Sequence, residues 1–252
     1  MSSSTGATEL ALKLLARANR VVALSGAGIS TEAGIPDFRS PNGLWQDPSL
    51  FARLSAGGFA KDPAGFYRAG LKLFPNIAQA KPTSAHVLLA RLERQGKVTA
   101  VVTQNIDGLH QAAGSKRVFE IHGTFRTGHC TQCRERYEMQ RFYEEMQRGL
   151  SLPPLCERCG KPIKPDLVLF DDYLPASVWQ AAEEAVESCD LLLVLGSSLA
   201  VHPAASLPQL AVDRGALLVI VNLEETPYDD SAAAVVRERL GAFAEAAGRY
   251  QS

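Results

Sequence analysis

The chain has 252 residues, 46% apolar and 21% charged, with a formal net charge of −1; this is an ordinary soluble composition with room for one large domain or one domain carrying an inserted module. Near-neutral charge excludes a long-range pull on nucleic acid or an anionic membrane, and the longest apolar stretch, LLLVLG at 191–196, is strand-sized and too short for a membrane span. The opening MSSSTGATEL lacks the basic start and apolar core of a secretion signal, and four of the five cysteines fall in two close pairs, which suits reduced, metal-bound thiolates in a cytoplasmic protein better than disulfides.

Residues 1–7 read as a disordered lead, and 8–19 carry apolar positions at helical spacing, with Thr8 as the expected N-cap. VVAL (21–24) is the first strand. Residues 43–80 hold short amphipathic pieces broken by Pro48, Pro63 and Pro75, which predicts a small helical insertion or lid. A helix over 84–96 is closed by Gly96 and followed by a strand from 98 that runs into the polar TQNID. VFEIHG (118–123) alternates, 130–159 is a Cys-rich excursion, and DLVLF (166–170) is extended. A helix over 175–188 precedes the strand 190–199, a helix over 203–214 precedes the last clear strand at 216–225, and 231–248 reads as a terminal helix. Strands that alternate with helices of this length predict a doubly wound parallel α/β sheet. VVAL, VTAVV, LLLVLG and LLVIVN are almost continuously apolar, as strands covered on both faces should be. Each empties into a polar or Gly-rich loop (SGAG, TQNID, GSS, NLEE), and ligands of such sheets sit at the carboxyl ends of the strands.

The most informative loop is 26–39, GAGISTEAGIPDFR. Gly26 and Gly28 lack Cβ atoms and so permit phosphate oxygens to approach bare main-chain amides. The match to Gly-x-Gly-x-x-Gly is broken at Thr31, with the next glycine at Gly34, so on its own the turn is either a nucleotide loop or an ordinary strand-to-helix turn. The attached Asp37, Phe38 and Arg39 place an acid, an aromatic and a guanidinium beside it. Gln104, Asn105 and Asp107 have little purpose in a buried strand and suit hydrogen bonds to sugar hydroxyls or a carboxamide; Asx-type turn capping accounts for one of them. Ser197 and Ser198 after Gly196 read as a helix N-cap or as phosphate ligands, and Asn222 and Glu224 as ribose partners or solvated loop residues.

Cys130-x2-Cys133 and Cys156-x2-Cys159, separated by 22 residues, supply four thiolates for one tetrahedral zinc. Four sulfurs fill the coordination sphere and leave no open position for water, so the metal is expected to be structural. Cys189 reads as a small core residue. His122, at a strand exit among the ligand loops, is the candidate general base; His86 and His110 compete with it, while His129 and His202 lie farther from the loops in sequence.

Taken together, GAGISTEAGIPDFRSPNGLW (26–45), TQNIDGLHQAAGS (103–115), the EIHG around His122, the two Cys pairs, GSSLAVHPAASLP (196–208) and VNLEETPYDD (221–230) resemble the sirtuin family of NAD-dependent protein lysine deacylases, in its compact bacterial and archaeal form. The likeness runs in order over about residues 10–245. It implies a Rossmann-type domain formed by 8–42, 81–124 and 166–248. It also implies a small domain formed by a helical insertion at 43–80 and a zinc-binding insertion at 125–165, with NAD in the cleft between the two domains.

By position, the resemblance has Ala27 and Gly28 face the pyrophosphate, counts Gly26 and Thr31 among the cofactor-binding residues, and puts Asp37, Phe38 and Arg39 on a flexible cofactor loop. Gln104 and Asn105 fall on the nicotinamide ribose, with Asn105 also in the catalytic set. Ile106 and Asp107 fall in the nicotinamide pocket, and Gly196, Ser197, Ser198, Asn222, Leu223 and Glu224 on the phosphate and adenosine side. His122 is the base. DLVLF resembles a segment that pairs with substrate backbone, so that Val168 and Phe170 flank the acyl-lysine channel. The implied reaction removes acetyl or other acyl groups from lysine in a protein or peptide and yields nicotinamide, O-acyl-ADP-ribose and free lysine. Protein mono-ADP-ribosyl transfer shares the first bond cleavage and is the alternative; a non-catalytic NAD-sensing module is disfavoured by the intact polar set. A membrane or specific nucleic-acid partner is not expected, and short tails with near-neutral charge favour a monomer.

Three departures stand out. Asp171 and Asp172 follow Phe170 where the family often has Gly-Glu, which suggests an acidic docking surface and basic substrates. Acid-preferring sirtuins carry Tyr-x-x-Arg in the helical insertion, but Tyr67 is followed by Arg68 and then Gly70, so a neutral acyl group is expected. Residues 238–240 give no guide to an adenine contact.

Overall fold

The computed structural model describes residues 2–37, 48–71, 73–149 and 152–250. Helix α1 (Ser2–Arg17) precedes strand β1 (Val21–Ser25). Four short helices follow, α2 (Pro48–Arg53), α3 (Ala56–Lys61), α4 (Pro63–Gly70) and α5 (Phe74–Gln79). Next come α6 (Ser84–Arg94), β2 (Val98–Thr103), α7 (Leu109–Ala113) and β3 (Val118–Glu120). A second excursion holds β4 (Gly123–Cys130), β5 (Arg136–Glu138), α8 (Gln140–Gln147) and β6 (Ile163–Leu167). The last elements are α9 (Ala176–Glu187), β7 (Leu191–Leu195), α10 (Leu207–Asp213), β8 (Leu217–Val221), β9 (Ala234–Val236) and α11 (Leu240–Tyr250).

Six strands form a parallel sheet in the order β3-β2-β1-β7-β8-β9. Its central strands are apolar throughout because successive side chains point to opposite faces and both faces are covered. Val21, Ala23, Leu191 and Leu193 join Leu15, Leu89, Leu92 and Phe243 from α1, α6 and α11. Val22, Leu24, Leu192 and Val194 join Ala182, Val186, Leu207 and Ala211 from α9 and α10. The strand order reverses beside β1, so the exits of β1, β2, β7 and β8 converge on one edge of the sheet.

A three-stranded antiparallel sheet, β5-β4-β6, forms in the Cys-rich excursion. Phe59, Phe66, Tyr67 and Phe74 of the short helices share one apolar cluster with Phe125, Met139, Tyr143 and Ile163 of that excursion. Tyr143 stacks on Phe125 with ring centroids 3.9 Å apart, and the Tyr67 hydroxyl donates to the Ile163 carbonyl at 2.7 Å. Pro48, Pro63 and Pro75 lie in the first turns of α2, α4 and α5, where a missing N–H costs nothing; they start helices rather than interrupt them.

Two expectations are corrected. Helix α1 begins at Ser2, so residues 2–7 are helical rather than a disordered lead, and Thr8 is an interior position, not an N-cap. The Thr8 hydroxyl instead donates to Glu238 Oε1 at 3.1 Å, tying α1 to the start of α11. The terminal helix begins only at Leu240, because Ala234–Val236 pair with Val219–Val221 as a parallel edge strand. Three alanines in a row read as helix; the open edge of β8 overrides that local preference.

Candidate functional site

The chain leaves β1 at Ser25 into a 3-10 turn over Ala27–Ala33, closed by Gly34 at φ +83°. The Gly28 amide donates to the Gly196 carbonyl at 2.9 Å, and the Gly26 amide to the Leu195 carbonyl at 3.1 Å. A Cβ on Gly28 would lie 2.7 Å from Gly196 Cα, and one on Gly196, itself at φ +62°, would lie 2.6 Å from the Gly28 carbonyl carbon. These glycines are therefore required first by each other: two loops cross backbone to backbone. Thr31, which breaks the glycine pattern, donates from Oγ1 to the Gly28 carbonyl at 3.0 Å and so closes the turn.

These loops border a cleft of about 990 Å³ between the sheet edge and the smaller module. Gly26, Ala27, Gly28, Thr31 and Asp37 line it, together with Gln104, Asn105, Ile106, Asp107 and His122. So do Gly196, Ser197, Ser198, Asn222, Leu223 and Glu224, and, on the other wall, Val168 and Phe170. Phe38 and Arg39 lie outside the described residues.

Gln104 Nε2 donates to Ser197 Oγ at 2.9 Å. Asn105 Nδ2 donates to Ser30 Oγ at 3.1 Å, and the Ser30 hydroxyl donates to Asp107 Oδ2 at 2.6 Å. Asp107 also accepts from the Leu109 amide at 2.9 Å, so the Asx-turn reading and the cleft reading both hold for it. Asn222 donates from Nδ2 to the Glu224 carbonyl at 2.9 Å, which folds that loop back on itself.

His122 hangs over the cleft from the link between β3 and β4. A carbonyl oxygen only accepts, so the 2.9 Å contact between His122 Nδ1 and the Gln104 carbonyl fixes the proton on Nδ1 and leaves the lone pair on Nε2. Burial pushes the imidazole below its ordinary pKa, and the bond to Gln104 opposes that. Gly123 follows at φ +75°, and a Cβ there would meet the Asp166 carbonyl at 2.0 Å, so only glycine carries the chain from His122 into β4. The Val168 amide donates to the His122 carbonyl at 2.9 Å and anchors His122 to the opposite wall.

The other histidines are placed elsewhere. His86 and His110 are buried beneath the loops with ring centroids 4.6 Å apart. His129 bonds Asp166 at 2.6 Å in the smaller module, and His202 reaches the cleft rim despite its distance in sequence. Cys189 packs in the core of the main sheet, and burial raises its thiol to about 11, as expected of an inert residue.

Cys130, Cys133, Cys156 and Cys159 bring their four sulfurs within 4.8 Å of one another. The pairs Cys130–Cys159, Cys133–Cys156 and Cys133–Cys159 are separated by 3.3, 3.5 and 3.6 Å. Tetrahedral zinc with bonds of about 2.3 Å needs sulfurs roughly 3.8 Å apart, and a disulfide needs about 2.05 Å. The donor set therefore fits one zinc ion and no disulfide. Amides of Gln132 and Cys133 point at Cys130 Sγ from 3.4 and 3.5 Å, the outer-shell bonds that a metal-bound thiolate uses.

Beyond β6, the Phe170 carbonyl accepts from the Ala56 amide at 3.1 Å, which sets the DLVLF segment against the short helices. The expected acidic surface is weaker than its sequence: Asp172 pairs with Lys164 at 2.7 Å and caps the Leu169 amide. Asp171 takes φ +72°, the left-handed conformation that glycine adopts freely and Asp tolerates.

Several lining residues carried no sequence signal. Leu54, Phe66, Leu73, Phe74 and Ile77 form an apolar wall, and Glu238, Arg239 and Leu240 reach the cleft from the start of α11. Apolar side chains without ligating atoms look the same in a core and in a pocket wall. Ser30 was legible in principle as a polar residue inside a Gly-rich turn.

The model of the Sir2 family matches residues 26–203. The chain is 44% identical over 230 residues to NAD-dependent protein deacetylase 2 of Caldanaerobacter subterraneus subsp. tengcongensis, covering 91% of this chain and 90% of that protein. It is 46% identical over 222 residues to the NAD-dependent protein deacetylase of Thermotoga maritima, covering 88% and 89%. Its fold is similar, with a TM-score of 0.87 and 43% identity over 93% of this chain and 94% of the other, to a Sir2 structure holding a deacetylated p53 peptide and 3'-O-acetyl ADP ribose.

Proposed function

This chain belongs to the Sir2 family, and from that premise we propose that it removes acetyl groups from lysine side chains of proteins in an NAD-dependent reaction that consumes one water, yielding nicotinamide, O-acetyl-ADP-ribose and free lysine. The observation that carries the reading is His122: its proton is committed to the Gln104 carbonyl, and its free Nε2 belongs to the same cleft as the glycine loops and the Asn105–Ser30–Asp107 cluster.

NAD bound there supplies a sugar carbon made electrophilic by a cationic leaving group. The chain's own residues do the rest. Ala27 and Gly28 would face the pyrophosphate, with Gly26, Thr31 and Asp37 lining the same part of the cleft; Gly196, Ser197, Ser198, Asn222, Leu223 and Glu224 would serve the phosphate and adenosine side. Gln104 and Asn105 would address the nicotinamide ribose, Ile106 and Asp107 would line the nicotinamide pocket, and Asn105 acts with His122 in catalysis. Val168 and Phe170 flank the entering acyl-lysine, whose amide oxygen is held in line with the sugar carbon; positioning supplies much of the rate. His122 Nε2 then accepts a proton from a ribose hydroxyl. The apolar wall excludes water that would compete for the same carbon.

A neutral acyl group fits best. Tyr67 is buried with its hydroxyl donating to Ile163, Arg68 is exposed beside Asp62, and neither lines the cleft, so neither is placed to hold an acidic acyl chain. The separate apolar clusters support a division into a Rossmann-type domain and a small domain built from 43–80 and 125–165, with zinc holding the latter. Among the described residues no helix is long and apolar enough to cross a membrane. The reduced, paired thiols support a cytoplasmic protein.

The test is incubation with an acetyl-lysine peptide, with and without NAD, read by mass spectrometry. Deacetylated peptide and O-acetyl-ADP-ribose are expected only with NAD. An ADP-ribosylated peptide that keeps its acetyl group favours the transferase alternative.

A further inference from the structure

Beneath the cleft lies a buried polar cluster that the reaction above does not use. His110 is 1% exposed, and its Nε2 lies 2.8 Å from Ser25 Oγ. The Ser25 hydroxyl donates to Thr103 Oγ1 at 2.8 Å, and Thr103 Oγ1 accepts from the Asn105 amide at 3.1 Å. With Ser25 donating onward, His110 donates from Nε2. Ser25 is the last residue of β1 and Thr103 the last of β2, so the relay latches two neighbouring strands where they open into the cleft loops.

We propose that His110 is a positioning residue for this site, fixing the main chain of Asn105 through Ser25 and Thr103. The inference rests on the deacetylase reading for its catalytic consequence but on hydrogen-bond geometry for its physical content. A second anchor runs in parallel. The His110 ring packs on His86, whose Nδ1 lies 2.8 Å from Thr83 Oγ1, and the Thr83 hydroxyl donates to the Ile29 carbonyl at 3.1 Å in the other cleft loop.

Packing alone does not explain the choice of residues. His110 Nδ1 and His86 Nε2 are buried with no hydrogen-bond partner among the described residues, a cost that leucine or phenylalanine of similar volume would avoid. Polar atoms kept at that cost imply that the bonded nitrogens matter, since truncating a buried network frees every group it held.

The test compares His110→Leu, which removes the donor, with His110→Gln, whose amide nitrogen falls near the position of Nε2. Amide hydrogen exchange over 104–107 is expected to quicken about tenfold in His110→Leu and to stay near wild type in His110→Gln, with β7 unchanged in both. In deacetylation, kcat is expected to fall about tenfold in His110→Leu while KM for the peptide stays within about twofold. Wild-type exchange in His110→Leu, or equal damage in both variants, overturns the proposal. Should His110→Leu fail to fold, Ser25→Ala breaks the same relay without a ring-sized cavity and is held to the same outcomes. A wild-type protein without NAD-dependent deacetylation would overturn the function, and exchange at Asn105 would still decide the relay.

Discussion

His122 Nδ1 lies 2.9 Å from the carbonyl oxygen of Gln104, so the cleft loop after β2 decides which nitrogen of this imidazole is free. Burial holds the imidazole below its ordinary pKa of 6.5. A base acts when neutral, and a lowered pKa keeps it neutral as the pH falls. The acid limb of kcat/KM is therefore expected to inflect below 6.5, and His122→Ala to remove activity while NAD still binds. A limb above 7 in a pH–rate profile would count against His122 as the base.

A Cβ added at Gly28 or at Gly196 would fall within 2.7 Å of the other residue's main chain. Gly196→Ala adds a clash with main chain and a side chain at φ +62°, each worth roughly 1–3 kcal/mol. Urea unfolding should show a loss of about 2 kcal/mol or more, with weakened NAD binding by calorimetry. Gly34→Ala has φ strain but open space around it, so it should cost only about 1 kcal/mol and leave NAD affinity near wild type.

The four-cysteine cluster predicts one zinc per chain. Stripping the metal, or Cys130→Ser, removes the support under β4, β5 and β6, whose apolar cluster is shared with the short helices. Limited proteolysis should then cut first within 125–165, with activity lost alongside, while α1, α6 and α11 keep their protection. Atomic absorption measures the metal, and mass spectrometry the cuts.

The buried histidines make stability depend on pH. Burial lowers His86 to about 4, partly offset by the Asp107 charge, and lowers His110 well below its ordinary value. In the unfolded chain both titrate near 6.5, so between about 6.5 and 4 the unfolded state binds the extra protons and stability falls as the pH falls. For His86 the full loss is on the order of 3 kcal/mol. Urea melts across that window should be steeper in pH for wild type than for His86→Gln; parallel curves would refute the assignment.

What was legible in the sequence follows from what leaves a pattern. Continuous Val and Leu runs revealed β1, β2, β7 and β8 because two covered faces leave no polar positions, and the Cys pairs revealed the zinc cluster because ligand spacing is rigid. The polar loops were legible as a group because Gln104, Asn105 and Asp107 have no use in a core. By contrast, Ala234–Val236 look helical, and only the open edge of β8 makes them a strand. Phe66 and Ile77 line the cleft with side chains suited equally to a core. The glycines were found for a partly different reason: the space at Gly28 is filled by Gly196. The Asp171-Asp172 pair looked like an acidic patch, but Lys164, seven and eight residues earlier, takes up one of its charges.

The most direct measurement follows nicotinamide release and peptide deacetylation in the same reaction, with an acetyl-lysine peptide at saturating NAD. If acyl-lysine is the group that captures the sugar carbon, the two rise together in equal amounts and both stop in His122→Ala. Nicotinamide released without matching deacetylated peptide, or deacetylation that continues without NAD, would contradict the account.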